Sequence, residues 1–344
     1  MIEFCEERTV GLETWKAMIE RLGLTQKLES ARTIVLKPNF AAGTKVAAKR
    51  HVCADLAFIQ NVAELCRRSN PAARILVAEG DSTGDGFAYL KFEHFGLPGS
   101  VDPDGSIGVE TLDLSRDRLK FVEDERFLYF KEGENLWLSE TLLDADFTIS
   151  LSNLKTHTVT LYTGACKNLF GALPASNKSV YHPFIHQVVH DVTLAVSPDL
   201  SVVDAFYGME KNGPVAGRDV DGGFRVFSND PVEADYYGAS AAGVPPRKVA
   251  YLTMLAKDLG APKVDAALVK KHAFKVRYPD KFVRFSNAVG LWVQRRGEAL
   301  AATGHRVHIA RNPWLFLIAL VRPLLVRIFG LKRLKSMKNR DKNY

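Results

Sequence analysis

The chain has 344 residues, 47% hydrophobic and 25% charged, enough for one large domain or two ordinary ones and unlike a collagen, a low-complexity polymer or a disulfide-stapled miniprotein. Its net charge of +7 is unevenly spread: residues 295–344 hold twelve Lys or Arg and two Asp or Glu, a balance of +10, which leaves the body at −3 and argues against a nucleic-acid-binding body. Cys5, Cys53, Cys66 and Cys166 form no CxxC pair, so neither a zinc ribbon nor a locally ligated iron–sulfur cluster is expected; with Glu6–Arg8 following Met1–Cys5 where a signal peptide would turn apolar, the expected compartment is the cytoplasm.

In chain order, Thr33–Lys37 reads as a short buried strand closed by Pro38-Asn39, and Ala54–Arg68 has the apolar spacing of a helix. Arg74–Ala78 is a second strand, closed by Glu79-Gly80-Asp81-Ser82, and Gly86–Phe95 a further helix. Phe147–Leu151 is a third strand, expected to end at Ser152-Asn153. Helices are predicted over Thr160–Leu173 and Pro183–Val196. Leu200–Val203 is a strand ended by Asp204, and Asp230–Gly260 reads as two helices around Gly243-Val244-Pro245-Pro246. Short apolar strands alternating with helices predict an α/β fold, a parallel-type sheet with helices on both faces, plus a helical C-terminal extension. The character changes after Ala261, so residues 1–260 are expected to form the α/β catalytic or binding domain and residues 261–344 the extension, apolar and then basic.

Four predicted strands end in polar residues: Asn39; Glu79 with Asp81; Asn153 with Lys155 and His157; and Asp204. In open parallel sheets ligands bind outside the carboxyl ends of the strands, which would put these groups on one edge. Each one alone could equally be a turn former or a helix cap. The densest stretch runs from Asn153 to His182 and adds Lys167, Asn168 and Lys178. Lysines near a helix start suit a carboxylate or phosphate, and a histidine there exchanges protons near neutral pH.

These residues lead to a provisional site. His157 or His182 moves a proton, with Glu79, Asp81 or Asp204 orienting it or acting as base. Asn39, Asn153, Lys155, Lys167, Asn168, Lys178 and Glu210 hold a small anionic or lipid-linked substrate, Glu210 from the glycine-rich loop Gly208–Gly217. His182, His186 and His190 are spaced i, i+4, i+8 but lack the HExxH glutamate and a third ligand, so no metal is expected and His186 and His190 are weak candidates only. The loop Gly80–Gly86 matches neither GxGxxG nor GxxxxGK[ST]; its small residues offer amides to an anion, and no cofactor is evident from motifs. Cys166 reads as a small core residue rather than a nucleophile.

The ordered run Leu36-Lys37-Pro38-Asn39, Ala78-Glu79-Gly80-Asp81-Ser82, Asn153-Leu154-Lys155-Thr156-His157, Thr163-Gly164-Ala165-Cys166-Lys167-Asn168-Leu169-Phe170-Gly171, Val203-Asp204-Ala205 and Asn212-Gly213-Pro214-Val215-Ala216-Gly217 resembles the bacterial and archaeal family called domain of unknown function 362, over roughly residues 33–245. Many members of that family add a ferredoxin-like domain with two cysteine-rich motifs. The four cysteines here form neither motif, which weakens an electron-transfer role. The Gly-Ala-Cys-Lys run and the Lys178–His182 spacing are remotely similar to the lactate racemase family, whose enzymes move a hydride with a nickel pincer cofactor attached to a lysine; the likeness favours isomerase-type chemistry and transfers no residue.

Trp314–Leu331 is apolar for eighteen residues but carries Arg322, Pro323 and Arg327. A spanning helix needs about twenty apolar residues, so two short helices lying in a membrane interface fit better. Lys332, Arg333, Lys335, Lys338, Arg340 and Lys342 follow, which makes an anionic membrane surface the expected partner of residues 314–342. Packing on the body or across a homodimer is the alternative. Three functional readings remain open: an isomerase, cyclase or lyase; a reductase component working with a flavin or iron–sulfur partner; and a non-enzymatic membrane-associated ligand-binding module.

Overall fold

Alternating side chains decide the faces of the sheet. In β2 (Thr33–Pro38), Ile34 and Leu36 enter one core and Val35 the other; in β3 (Arg74–Glu79), Ile75 and Val77 oppose Leu76 and Ala78. A computed structural model describes residues 1–40, 51–81, 89–131, 135–175 and 177–302. Among these, nine strands form one sheet. Its main path runs from β1 (Ile2–Cys5) through β11 (Arg225–Ser228), β9 (Leu200–Glu210), β7 (Phe147–His157), β2 and β3 to β4 (Val109–Asp113); β8 (Leu161–Thr163) pairs with β7 and β10 (Arg218–Val220) with β9. The five strands from β9 to β4 are mutually parallel; at one edge β11 pairs antiparallel with β9, and β1 antiparallel with β11. A separate hairpin joins β5 (Leu119–Val122) to β6 (Leu136–Ser139).

Helices cover both faces, as the alternation of strand and helix signals predicts. Trp15, Met18 and Ile19 of α1 (Leu12–Arg21), Leu28 of α2 (Thr25–Ser30), Phe58, Ile59 and Val62 of α3 (Leu56–Ser69) and Phe92 of α4 (Tyr89–His94) pack on one side. On the other lie Leu142 of α5 (Glu140–Leu143), Cys166 and Leu169 of α6 (Ala165–Leu169), Val188 and Val192 of α7 (Ile185–Val196), Tyr237 of α8 (Pro231–Ala241) and Tyr251 and Leu255 of α9 (Ala250–Leu259). Then come α10 (Ala266–Lys271) and α11 (Lys281–Ala302). The compact unit that carries the sheet runs from Met1 to Phe285, and residues from Ser286 onward belong to a second unit. Trp314–Leu331 and the basic residues up to Lys342 lie outside the described residues, as does the Gly80–Gly86 loop from Ser82 on. Among the described residues no helix is long and apolar enough to cross a membrane.

Three local expectations are corrected. The strand expected to end at Ser152-Asn153 continues to His157, because β9 and the short return strand β8 keep supplying backbone partners to its polar end. The helix expected over Thr160–Leu173 is a strand, a five-residue helix and a 3₁₀ turn (Phe170–Ala172): Leu161 adopts φ +70°, and the chain folds back so that Leu161–Thr163 pair with Lys155–His157 before α6 begins. The strand expected to end at Asp204 runs on to Glu210, because β7, β11 and then β10 keep pairing with it; the glycine-rich Gly208–Gly217 segment therefore starts inside β9, and Glu210 is a strand residue opposite Arg218 in a hairpin.

The chain order sets a switch point in the sheet. From β2 the chain goes to β3 and β4 on one side, and later to β7 and β9 on the other. The switch in direction falls between β2 and β7, and a crevice opens at the carboxyl ends of such strands.

Candidate functional site

Lys37 and Glu79 meet at the end of β2 and β3. Lys37 Nζ lies 2.8 Å from Glu79 Oε1, and both side chains are buried. The carboxylate also accepts the Phe40 N–H at 3.0 Å and the Gly80 N–H at 2.9 Å. Gly171 lies against this pair so closely that a Cβ there would sit 2.6 Å from Glu79 Oε1 and 2.7 Å from Lys37 Nζ. Lys178 Nζ donates to the carbonyls of Asp81 and Gly171, and Asn168 donates to the Lys37 carbonyl and to Ser150 Oγ, both at 3.0 Å. Glu79, Asp81, Asn168 and Lys178 are therefore brought together, with Lys178 committed to backbone carbonyls. Lys37 was not foreseen as a site residue. Its signal in the sequence is a lysine inside the otherwise apolar run Thr33–Pro38.

A second group lies at the end of β7. Asn153 and Lys155 are fully buried. Asn153 donates to the carbonyls of Cys53 at 3.2 Å and Tyr207 at 2.9 Å, while its Oδ1 has no hydrogen-bond partner among the described residues. Lys155 Nζ donates to the Val52 carbonyl, and burial pushes its ammonium down to about 8. Lys167, half-buried on α6, is likewise pushed down to about 8 by desolvation; its Nζ stands 5.6 Å from the centre of the Phe170 ring. His157 is driven well below the usual imidazole range by burial and then by the charges of Lys167, His182, His186 and Lys155. His182 is lowered by burial and by Lys167.

The two histidines have opposite tautomers. The Val159 and Thr160 amides donate to His157 Nδ1 at 3.0 and 3.2 Å, so the neutral ring carries its proton on Nε2. His182 Nδ1 faces the Lys178 carbonyl at 3.1 Å and must carry the proton, leaving its Nε2 as a base. The His157 ring offers a hydrogen-bond donor, and the His182 ring a basic nitrogen.

The remaining residues are placed as follows. Asn39 is buried at the end of β2, and its carbonyl accepts the Ala54 N–H. Asp204 is buried against Arg225, with Nε 3.0 Å from Oδ2; the guanidinium also stacks 3.6 Å over the Phe58 ring and donates to the Glu7 and Arg8 carbonyls. Glu210 accepts the Arg277 N–H at 2.8 Å. His186 stacks with Tyr251, and His190 is fully buried between Asp191 (2.8 Å) and Asp258 (2.9 Å). Among the described residues no three His, Cys, Asp or Glu side chains converge as a metal site. A cavity of about 320 Å³, lined by Arg8, His51, Phe206, Tyr207 and Asp219–Asp221, adjoins the β7 group through the His51–Cys53 backbone that receives Lys155 and Asn153.

Comparison with known proteins places the chain. A family model described as Domain of unknown function (DUF362) matches residues 34–240. The Thylakoid-associated protein sll1697 of Synechocystis sp. is 32% identical over 109 residues, 30% of this chain and 34% of that protein, so the chain matches about a third of the length of this curated relative. The lactate racemase apoprotein from Thermoanaerobacterium thermosaccharolyticum has a TM-score of 0.43 at 11% identity, with 64% of this chain and 51% of that one covered.

Proposed function

The chain belongs to the DUF362 family, a name that assigns no reaction, and from its site we propose an enzyme that binds a small anionic or lipid-linked substrate and transfers a proton on it, as an isomerase, cyclase or lyase does. The observation that supports this is the group Lys155, Lys167, His157 and His182. Burial is the largest influence on each; the cationic neighbours follow for His157 and His182, Cys53 and then Lys167 for Lys155, and no carboxylate is among the leading influences on the four, a charge that a substrate anion would supply. Lys167 is the contact for the anion, since Lys155 and Lys178 are engaged by carbonyls. His182 Nε2 takes the proton and can return it at a second position, while the His157 Nε2–H donates a hydrogen bond to the electron pair left behind. The open Asn153 Oδ1 accepts an O–H or N–H of the substrate; left unfilled, such an acceptor costs about 1–3 kcal/mol.

Thermal unfolding with inorganic phosphate and small carboxylates tests this. A ligand at one hundred times its Kd stabilises by about 2.7 kcal/mol. The anion that fits should raise the Tm of the wild-type protein and leave Lys167→Met unmoved, with the stabilisation larger at pH 7 than at pH 9.5, because Lys167 loses its charge near 8. Equal stabilisation of both proteins by every anion would remove Lys167 from the site.

The free protein should show a matching pH dependence. An unfolded lysine titrates near 10.4. Between about 8 and that value the unfolded chain holds protons that folded Lys155 and Lys167 have released, so the stability of the anion-free protein should rise with pH across this window. Urea midpoints at pH 7.5, 9 and 10 measure the slope, which should shrink in Lys167→Met.

We also propose peripheral attachment to an anionic membrane through residues 314–342. The apolar and basic composition of that segment supports it, and the name of the Synechocystis relative associates that protein with a membrane.

A further inference from the structure

We infer that Asp235 is a positioning residue: from α8 it fixes the start of α6, and through it the placement of Lys167 and Asn168 at the sheet edge. The inference rests on the reading that Lys167 lines the site. Asp235 is fully buried, and its two oxygens serve two amides, Ala165 N–H at 2.6 Å and Cys166 N–H at 3.1 Å. These are the first two residues of a five-residue helix whose N-cap, Gly164, offers no side chain. Asp235 thus supplies, from 70 residues away, the acceptor that a Ser or Asp at the N-cap supplies locally in other helices.

The close approach explains why the cap is not local. A Cβ at Gly164 would lie 2.1 Å from Asp235 Oδ1 and 2.6 Å from the Tyr162 hydroxyl oxygen, so only glycine lets the carboxylate reach the amides. A helix this short does not persist without tertiary support. At its far end Asn168 is tied to Lys37 and Ser150, whereas half-buried Lys167 stands between that tie and the Asp235 clamp.

Desolvation outweighs the amides and lifts the Asp235 carboxyl to about 7. The ionisable groups facing it are Tyr162 of β8, Cys166 of α6 and Tyr251 of α9, and burial holds all three neutral. Asp230, at the start of α8, caps its own helix through Val232 and Glu233. The ionised carboxylate accepts both amides, while the protonated form turns an O–H toward one of them. The clamp tightens as pH rises through neutrality.

Competitive acetylation read by peptide mass spectrometry gives the pKa of Lys167 in the full chain, and hydrogen exchange reports the Ala165 and Cys166 amides. Asp235→Asn directs an NH₂ at one of those amides. In this variant the Lys167 pKa should rise by a unit or more toward the solvated value, and exchange of the two amides at pH 8 should accelerate at least tenfold. In the wild-type protein their protection, corrected for intrinsic rates, should increase between pH 6 and 8, and Asp235→Asn should lose that increase. Asp230→Ala should lower the Tm without moving Lys167 or the two amides. A folded Asp235→Asn protein with Lys167 and both amides unchanged overturns the inference, as does an Asp230→Ala protein that shifts Lys167 equally. If Asp235→Asn does not fold, flat wild-type amide protection from pH 6 to 8 overturns it. Neither readout uses a substrate, so its failure is distinct from a failure of Lys167 to bind anions.

Discussion

Glu79→Ala should destabilise the protein by about 3–5 kcal/mol, the usual cost of removing one partner from a buried ion pair. Lys37 and Glu79 are both withdrawn from water, so the substitution leaves an ammonium in the core without its carboxylate. The Phe40 and Gly80 amides lose an acceptor at the same time. Replacing Lys37 by Met in the same protein should recover at least half of the loss, because a buried pair is often worth little against an apolar substitute. Urea denaturation of the single and double variants measures both. A cost below about 1 kcal/mol for Glu79→Ala would show that the pair is not insulated from water. This carboxylate is a candidate base on its position alone, so activity should be compared only between variants shown to be folded.

Full-length protein should co-sediment with vesicles of anionic lipid and much less with neutral ones, while a chain ending at Asn312 stays in the supernatant. Residues 314–331 are rich in Leu, Ile, Val and Phe, and soluble monomers seldom leave so large an apolar patch in water. The +10 balance of residues 295–344 selects the partner: like charges repel across a two-fold interface, whereas an anionic bilayer attracts each basic residue by about 1 kcal/mol. Among the described residues, Phe285 and Trp292 of α11 are exposed aromatic side chains. Moderate salt should weaken the binding and not abolish it, since apolar burial is unscreened. Full-length protein that ignores anionic vesicles, together with a shortened chain that aggregates, would assign the stretch to the core or to a subunit contact.

The sequence by itself determined the α/β class and the edge at which polar groups gather. Both are written locally, in apolar runs of period two and in the turn residues that close them: Pro38-Asn39 and Glu79-Gly80 stand at strand ends in the structure as the pattern predicts, whereas Asp204 lies inside β9, which runs on to Glu210. Where pairing comes from distant chain, the local pattern fails. The polar stretch Ser152–His157 reads as a turn, yet it is buried strand because β8 and β9 close over it. The role of each polar group was decided at the same level. Nothing near Asp204 in the sequence announces Arg225, nothing near Lys37 announces Glu79, and nothing near Gly164 announces Asp235. The tautomers of His157 and His182 follow from which backbone groups face each ring, and so depend on the folded β7–β8 turn and on the 3₁₀ turn Lys178–Phe184. Apolar burial is additive and non-directional, so composition and spacing reveal it; a buried charge or hydrogen bond needs one partner at one distance, and only the tertiary structure supplies that partner.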